Sequence, residues 1–280
     1  MKQLLIWMLV LVLAGCAASP ANEKPVEQDT EETEDQSKEE SPTEGEEGDN
    51  EEEATDEENQ SEEEEKPTEE EPEISYTINP ANWTLKAEGE ADSKVVLLTI
   101  DDAPDKHALE MAEKLKELDV PAIFFVNGHF MDTKEEKAIV KQIHELGFHI
   151  GNHTMTHSNL SKISEEKQRE EIVQLSGVIE EVTGEAPIFF RAPFGVNTDY
   201  AKKVLKEQGM TFMNWTYGYD WEREYQTSAA IADIMVNTPL LTDGAILLMH
   251  DRTWSNEALV EIVKGLRDKG YSFADPSHIK

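Results

Sequence analysis

The sequence is poor in positive charge and in cysteine. It has 25 lysine and arginine residues against 60 aspartate and glutamate residues, which gives a formal net charge of −35. No basic patch stands out that could neutralise phosphates, which argues against nucleic acid as a partner. Cys16 is the only cysteine, and a single thiol excludes an internal disulfide.

Long hydrophobic runs are also scarce. The run from Leu4 to Ala14 follows a short basic start and is too short to span a bilayer comfortably. It is typical of a secretory signal. Its end, Leu13-Ala14-Gly15-Cys16, resembles the bacterial lipobox, in which the cysteine is lipidated and becomes the new N-terminus. We therefore predict a signal peptide over residues 1–15 and a lipidated Cys16 that anchors the protein to the outer face of the cell membrane. The alternative is an ordinary signal peptide with a chance cysteine.

Apolar side chains are nearly absent from the next segment. Residues 22–73 contain 27 acidic residues and three lysines. Such a segment cannot bury enough surface to offset its ordering entropy, and its like charges repel. We predict a disordered acidic tether over residues 16–73. A solvated spacer is the preferred interpretation, with calcium or partner binding as the alternative.

Residues 74–280 are long enough for one domain with a sizeable core. Short apolar runs alternate with helical patterns along this part of the chain, which indicates a parallel sheet covered by helices. About seven such units favour a barrel over an open sheet. The predicted strands are 95–100, 121–126, 148–151, 188–191, 211–215, 245–250 and 271–273. The predicted helices are 109–118, 133–146, 164–183, 199–208, 226–236 and 256–268.

Polar residues cluster just after five of the predicted strands. In a (β/α) barrel, reactive side chains lie at the carboxyl ends of the strands. Each cluster also has a structural interpretation: aspartates before a helix are common N-caps, and an arginine can pair with a surface acid. Their joint occurrence at one end of a barrel favours a functional site. The clusters are Asp101-Asp102, His153 with His157, Arg191, Asp220-Trp221 and His250-Asp251.

The chemistry of these residue types is that of a hydrolase. His153 and His157 have the i, i+4 spacing that places two side chains on one face of a helical turn. Two imidazoles and one carboxylate are typical of a catalytic zinc site, where the ion makes bound water acidic enough to attack at neutral pH. A second carboxylate can accept a proton, and a histidine can donate one to the leaving group. The set suits hydrolysis of an amide or an ester.

Residues 93–275 resemble the polysaccharide deacetylases of carbohydrate esterase family four. Five family motifs occur in family order: Thr99-Ile100-Asp101-Asp102-Ala103, His153-Thr154-Met155-Thr156-His157, Arg191-Ala192-Pro193-Phe194-Gly195, Asp220-Trp221 and Leu248-Met249-His250. Three details depart from the usual pattern. Ile100 replaces phenylalanine, Ala103-Pro104 replaces a glycine, and only Asp220-Trp221 carries over from the fourth motif.

The resemblance implies a distorted (β/α)₇ barrel and a role for each motif residue. Asp101 is expected to be the general base, oriented by Arg191. His250 is expected to be the general acid, tuned by Asp220. The backbone N–H of Phe194 is expected to help hold the oxyanion. The expected metal ligands are Asp102, His153 and His157, and the expected substrate-binding residues are Pro193, Phe194, Trp221 and Leu248.

The resemblance also implies a metal-dependent N-deacetylase of a polysaccharide that contains N-acetylglucosamine. An anchor on the outer face of the cell membrane favours peptidoglycan as the substrate. Poly-N-acetylglucosamine, chitin-like oligomers and xylan are the alternative substrates. A non-catalytic glycan-binding lipoprotein and an amidase of small cyclic amides are further alternatives. Zinc is the default ion, and cobalt, nickel and manganese also suit two histidines and one carboxylate. We expect a monomer.

Overall fold

The structure, a computed structural model, describes residues 73–280. The predicted signal peptide, Cys16 and the tether up to residue 72 lie outside these residues. The strands are β1 (Tyr76–Asn79), β2 (Thr84–Ala87), β3 (Val95–Ala103), β4 (Ala122–Val126), β5 (His149–Asn152), β6 (Phe189–Phe190), β7 (Thr211–Phe212), β8 (Tyr217–Gly218), β9 (Ala245–His250) and β10 (Ser272–Phe273). The helices are α1 (Ala108–Glu117), α2 (Lys134–Glu145), α3 (Glu165–Thr183), α4 (Asp199–Glu207), α5 (Ser228–Asn237) and α6 (Thr253–Asp268). None of the described helices is long and apolar enough to cross a membrane.

Seven parallel strands form a curled sheet in the order β8–β9–β3–β4–β5–β6–β7. Only residues 213–216 separate β7 from β8 along the chain. Between these two strands the described residues form no strand pairing, so the barrel stays open at this point. This arrangement, with a helix between most consecutive strands, confirms the predicted distorted (β/α)₇ barrel.

The seventh barrel strand is not the one that the sequence predicted. The predicted strand at 271–273 exists as β10, but it pairs with the amino end of β3 through Ser272 and Val95. The barrel is instead completed by β8, whose two residues are too few to show a periodicity. The hairpin of β1 and β2 was also not predicted, and it adds antiparallel strands beside β9.

The helices lie close to their predicted ranges, and four of the six described helices begin at a residue whose side chain caps the helix. Thr133 and Glu136 form a reciprocal capping box at the start of α2. Ser164 accepts a hydrogen bond from the backbone N–H of Lys167 at the start of α3. Helix α3 ends at Gly184, whose φ of 84° is a left-handed conformation that glycine adopts without a Cβ clash.

The central strands β3, β4 and β9 bury both faces, and the two faces pack against different partners. Val96, Leu98 and Ile100 of β3 belong to the cluster that includes the apolar residues of α1 and α6. Leu97 belongs to a second cluster with inward residues of other strands, such as Phe125. Because side chains alternate along a strand, the inward face of β3 continues from Leu97 through Thr99 to Asp101. The barrel interior therefore changes from apolar to polar toward the carboxyl ends of its strands.

Candidate active site at the carboxyl ends of the strands

A cleft of about 390 Å³ lies at the carboxyl end of the barrel. It is lined by Asp101, Asp102, His153, His157, Phe194, Trp215, Trp221, Leu248 and His250. Residues from five separate strand ends thus meet at one place, as the sequence predicted. Trp215 was not among the predicted site residues.

A break in the strand pattern brings two consecutive aspartates to the same cleft. Adjacent residues of a regular strand point to opposite faces. The register between β3 and β4 shifts between Ile100 and Ala103, and Asp102 has a positive φ of 60°. This local bulge turns Asp102 back toward the side that Asp101 already faces. The strained backbone of a non-glycine residue is typical of a functional position.

Asp102, His153 and His157 form a group that can hold a metal ion. Oδ1 of Asp102 lies 3.5 Å from Nε2 of His157 and 4.0 Å from Nε2 of His153. Ligands at about 2.0–2.2 Å in tetrahedral geometry are about 3.4 Å apart, close to these two distances. All three ligand atoms lie within 4.8 Å of one another. Nδ1 of His153 donates to the backbone oxygen of Arg191 at 2.7 Å. This leaves the Nε2 lone pair for an ion, so the donor set fits zinc.

The two histidines meet through a loop rather than a helix. The i, i+4 spacing predicted a shared helical face, and that prediction is wrong, because no helix includes residues 153–157. Thr154 and His157 have positive φ values of 71° and 56°. The loop folds back until the two imidazole ring centroids are 5.1 Å apart.

Glu171 of α3 holds this loop in place. Its carboxylate accepts hydrogen bonds from the backbone N–H of Thr156 at 2.8 Å and from the Thr156 hydroxyl at 2.5 Å. Its backbone oxygen accepts from the N–H of Met155 at 3.0 Å. Glu171 is buried, so its charge is satisfied by these donors. The sequence analysis did not identify Glu171, because nothing in a helical pattern distinguishes it.

Asp101 is held by a fully buried arginine. Nη1 of Arg191 donates to Oδ1 of Asp101 at 2.7 Å and also contacts the Thr99 hydroxyl at 2.7 Å. The Thr99 hydroxyl donates to the backbone oxygen of Leu247 at 2.6 Å. Oδ2 of Asp101 lies 3.6 Å from Nε2 of His153. One carboxylate oxygen is thus fixed by Arg191 and the other faces the metal group.

Asp220 fixes His250 on the other side of the site. Its two oxygens accept from the His250 ring Nδ1 at 2.7 Å and from the His250 backbone N–H at 2.6 Å. The Ser255 hydroxyl donates to the same carboxylate at 2.6 Å, and Nε1 of Trp254 donates to the backbone oxygen of Asp220 at 2.8 Å. Ser255 and Trp254 were not predicted.

Burial and neighbouring charges set the protonation of the site. Burial lowers the pKa of His153 and of His157, which favours the neutral form that binds metals. Burial raises the pKa of Asp101, against the opposing effect of Arg191. For His250, burial lowers the pKa, but the hydrogen bond and charge of Asp220 outweigh it and the pKa is raised overall. A histidine that holds its proton near neutral pH is suited to act as an acid.

Aromatic side chains form the rim of the cleft. Phe194 is 63% exposed and Trp221 is 45% exposed. Trp215 lies against Trp221 with ring centroids 6.3 Å apart, and Leu248 also lines the cleft. Exposed aromatic rings beside charged and histidine side chains are typical of a binding site for an amphipathic ligand such as a sugar. Pro193 is buried and does not line the cleft, although the sequence analysis placed it among substrate-binding residues.

Known proteins share this domain. A family model described as polysaccharide deacetylase matches residues 88–213. A peptidoglycan-N-acetylglucosamine deacetylase of Bacillus cereus is 33% identical over 193 residues, which cover 65% of this chain and 69% of that protein.

Solved structures of the same family resemble this domain. A peptidoglycan N-acetylglucosamine deacetylase solved with a hydroxamate-type benzamide ligand is 29% identical, with a TM-score of 0.60 over 67% of this chain and 88% of that chain. A family 4 carbohydrate esterase pseudoenzyme from Bacillus anthracis is 29% identical, with a TM-score of 0.60 over 66% of this chain and 65% of that chain. This chain belongs to the polysaccharide deacetylase family and is a hydrolase of the class that acts on amide bonds.

Proposed function

We propose that this chain is a metal-dependent N-deacetylase that releases acetate from N-acetylglucosamine units of a cell-envelope glycan, with peptidoglycan as the favoured substrate. The observation that carries the proposal is the arrangement of one cleft. A metal-binding group, an arginine-held carboxylate and an aspartate-held histidine line it together. A general base and a general acid beside a metal are the parts that amide hydrolysis requires.

Asp102, His153 and His157 would hold the ion, and zinc suits their two nitrogens and one oxygen best. When bound, the ion supplies Lewis-acid polarisation of the substrate carbonyl and lowers the pKa of water. The fixed Nδ1–H of His153 keeps its Nε2 directed at the ion position. Cobalt, nickel or manganese remain alternatives for the same donors.

The acid and base steps follow from the two paired side chains. Asp101 accepts the proton of the attacking water at Oδ2, while Arg191 holds Oδ1 and keeps the carboxylate oriented. His250 gives the proton on Nε2 to the departing nitrogen, because its Nδ1–H is held by Asp220. The backbone N–H of Phe194 stabilises the oxyanion. The C–N bond of the acetamide breaks, and the products are acetate and a free amine.

Peptidoglycan is favoured by two kinds of evidence. Curated relatives named as peptidoglycan deacetylases match most of the domain, among them a Bacillus subtilis N-acetylmuramic acid deacetylase at 28% identity over 71% of its length. The lipobox-like sequence at Cys16 favours an extracytoplasmic protein anchored to the cell membrane. A signal peptide over 1–15, a lipidated tether over 16–73 and a monomeric catalytic domain over 74–280 would place the cleft within reach of the wall.

Two alternatives have specific support. A bifunctional xylanase/deacetylase of Pseudobutyrivibrio xylanivorans is 25% identical over 192 residues, which keeps xylan among candidate substrates, along with chitin-like oligomers. The Bacillus anthracis pseudoenzyme shows that the fold also exists without activity. Catalysis is favoured here because Asp101, Asp102, His153, His157 and His250 are all present and meet in one cleft.

The test is acetate release by residues 74–280, with the metal removed by chelation and then restored. Purified peptidoglycan, chitin oligomers and acetylated xylan would be compared. We expect zinc-restored release from peptidoglycan. Release from chitin oligomers or xylan alone would reassign the substrate. If no acetate is released from any glycan while zinc is demonstrably bound, the deacetylase assignment is wrong and the glycan-binding alternative remains.

A further inference from the structure

Each of the two aspartates of the site has an arginine of its own. Arg191 holds Asp101, and Arg252 contacts Asp102: Nη2 of Arg252 lies 3.2 Å from Oδ2 of Asp102. Nη1 of Arg252 donates to Oδ2 of Asp105 at 2.9 Å. The guanidinium group is thus fixed between two carboxylates, in the fork geometry that arginine provides and lysine does not.

The contacts divide the two oxygens of Asp102. Oδ1 faces the two histidines, at 3.5 and 4.0 Å from their Nε2 atoms, whereas Oδ2 faces Arg252. A carboxylate that is free to rotate can bind an ion through both oxygens and so occupy two coordination positions. A carboxylate held at Oδ2 offers one oxygen only.

The backbone around Arg252 is also fixed. The preceding residue, Asp251, is fully buried and accepts hydrogen bonds from the backbone N–H groups of Lys106, His107 and Ala108. These bonds attach the end of β9, which carries His250, to the loop that follows Asp102. The backbone N–H of Arg252 donates to the oxygen of His250 at 2.8 Å. Arg252 therefore lies where the segment that follows β9 is attached to the segment that follows Asp102.

We propose that Arg252 is a positioning residue that restricts Asp102 to a single-oxygen contact with the metal ion, and so keeps coordination positions free for water and substrate. The inference rests on the proposed metal site. Second contacts of this kind on metal-ligating side chains are worth about 10- to 100-fold in metal affinity. The guanidinium also repels the ion, so removing Arg252 would by itself raise the metal affinity. We expect the affinity lost when Asp102 is no longer held in position to exceed this increase.

The experiment uses the full chain and measures zinc affinity by competition with a chromophoric chelator, together with the visible absorption of the cobalt-loaded protein. The variants are Arg252→Met and Arg252→Lys. The matched control is Lys106→Met, because Lys106 pairs with Asp105 at 3.6 Å without contacting Asp102. We expect both Arg252 variants to lose about 10- to 100-fold in zinc affinity, and their cobalt spectra to weaken as the coordination number rises. The control should match the wild type.

Three results would overturn parts of this picture. Unchanged zinc affinity and cobalt spectra in both Arg252 variants would overturn the positioning role. Loss in Arg252→Met with full retention in Arg252→Lys would also overturn it, since charge alone would then suffice. If the wild type binds no zinc, the proposed metal site itself fails. Should the Arg252 variants not fold, Asp105→Asn loosens the same fork from its other end and is expected to shift affinity and spectrum in the same direction.

Discussion

Asp220 holds His250 by two hydrogen bonds at once, one to the ring and one to the backbone of the same residue. Nδ1 lies 2.7 Å from one carboxylate oxygen, and the backbone N–H lies 2.6 Å from the other. Because a carboxylate accepts and cannot donate, the proton on Nδ1 is fixed, and Nε2 is the atom that exchanges a proton with substrate. A single buried side chain therefore sets the orientation and tautomer of the proposed acid, and its hydrogen bond and charge raise the pKa of that acid against the effect of burial.

Replacing Asp220 by asparagine should lower the pH at which activity is lost in alkaline solution. Asp220 raises the pKa of His250, and an acid works only while protonated. Without the carboxylate the pKa falls, so the alkaline limb of kcat against pH moves to lower pH. The measurement is a pH profile of acetate release. An unchanged alkaline limb would show that His250 is not the acid that limits it.

Replacing Asp101 by asparagine should separate chemistry from metal binding. Loss of a general base typically lowers the rate by about 10²- to 10⁴-fold. Zinc content should stay the same, because Asp102 and the two histidines form the metal group. Acetate release and zinc stoichiometry are measured together, with Asp199→Asn as a control at a fully exposed aspartate. Loss of zinc along with activity would make Asp101 a ligand instead.

Zinc should stabilise the domain against heat. An ion that binds only the folded state at about 100 times its Kd adds about 2.7 kcal/mol, which is a rise of several degrees in Tm for a domain of this size. Magnesium should have no such effect, because nitrogen ligands do not suit it. His157→Ala should remove the zinc effect. A zinc-dependent rise of equal size in His157→Ala would place the ion elsewhere.

Replacing Glu171 by glutamine should destabilise the loop of the two histidines. The carboxylate accepts both hydrogen bonds from Thr156, and glutamine keeps one acceptor oxygen only. We expect a loss of about 1–3 kcal/mol in the free energy of unfolding, together with weaker zinc binding. Urea unfolding and chelator competition measure the two effects. The neighbouring Glu170→Gln is the control, because Glu170 is exposed and, among residues 73–280, forms an ion pair with Lys167 on the same helix. Equal effects of the two changes would contradict the role of Glu171 in holding the loop of the two histidines.

Two glycines should respond oppositely to alanine. A Cβ on Gly218 of β8 would lie 2.5 Å from the backbone oxygen of Leu248, so Gly218→Ala should cost about 1–3 kcal/mol through overpacking. Gly177 lies within α3 and a Cβ there would meet nothing within 4 Å, so Gly177→Ala should stabilise by about 0.5–1 kcal/mol. Unfolding by urea measures both. Tolerance of Gly218→Ala would contradict the close pairing of β8 with β9.

Much of the fold was readable from the sequence because its elements are long and periodic. The buried strands β3, β4 and β9 are mostly runs of apolar residues, and four of the six described helices begin at a capping side chain. Short elements could not be predicted. Strand β8 has two residues, which are too few to show the alternation of apolar and polar residues that indicates a strand. Its place in the barrel depends on pairing with β9, which is a contact between residues distant in sequence.

The candidate site divides in the same way. The sequence by itself determined which polar residues follow the strands, since parallel strands place their carboxyl ends together. Only the tertiary structure decided how they meet. The bulge at Asp102 and the loop of His153 and His157 depend on left-handed backbone conformations. Such conformations are uncommon for non-glycine residues, so the sequence did not predict them. The supporting contacts of Arg252, Glu171 and Ser255 reach these residues from other elements, so their roles become visible only when the chain is folded.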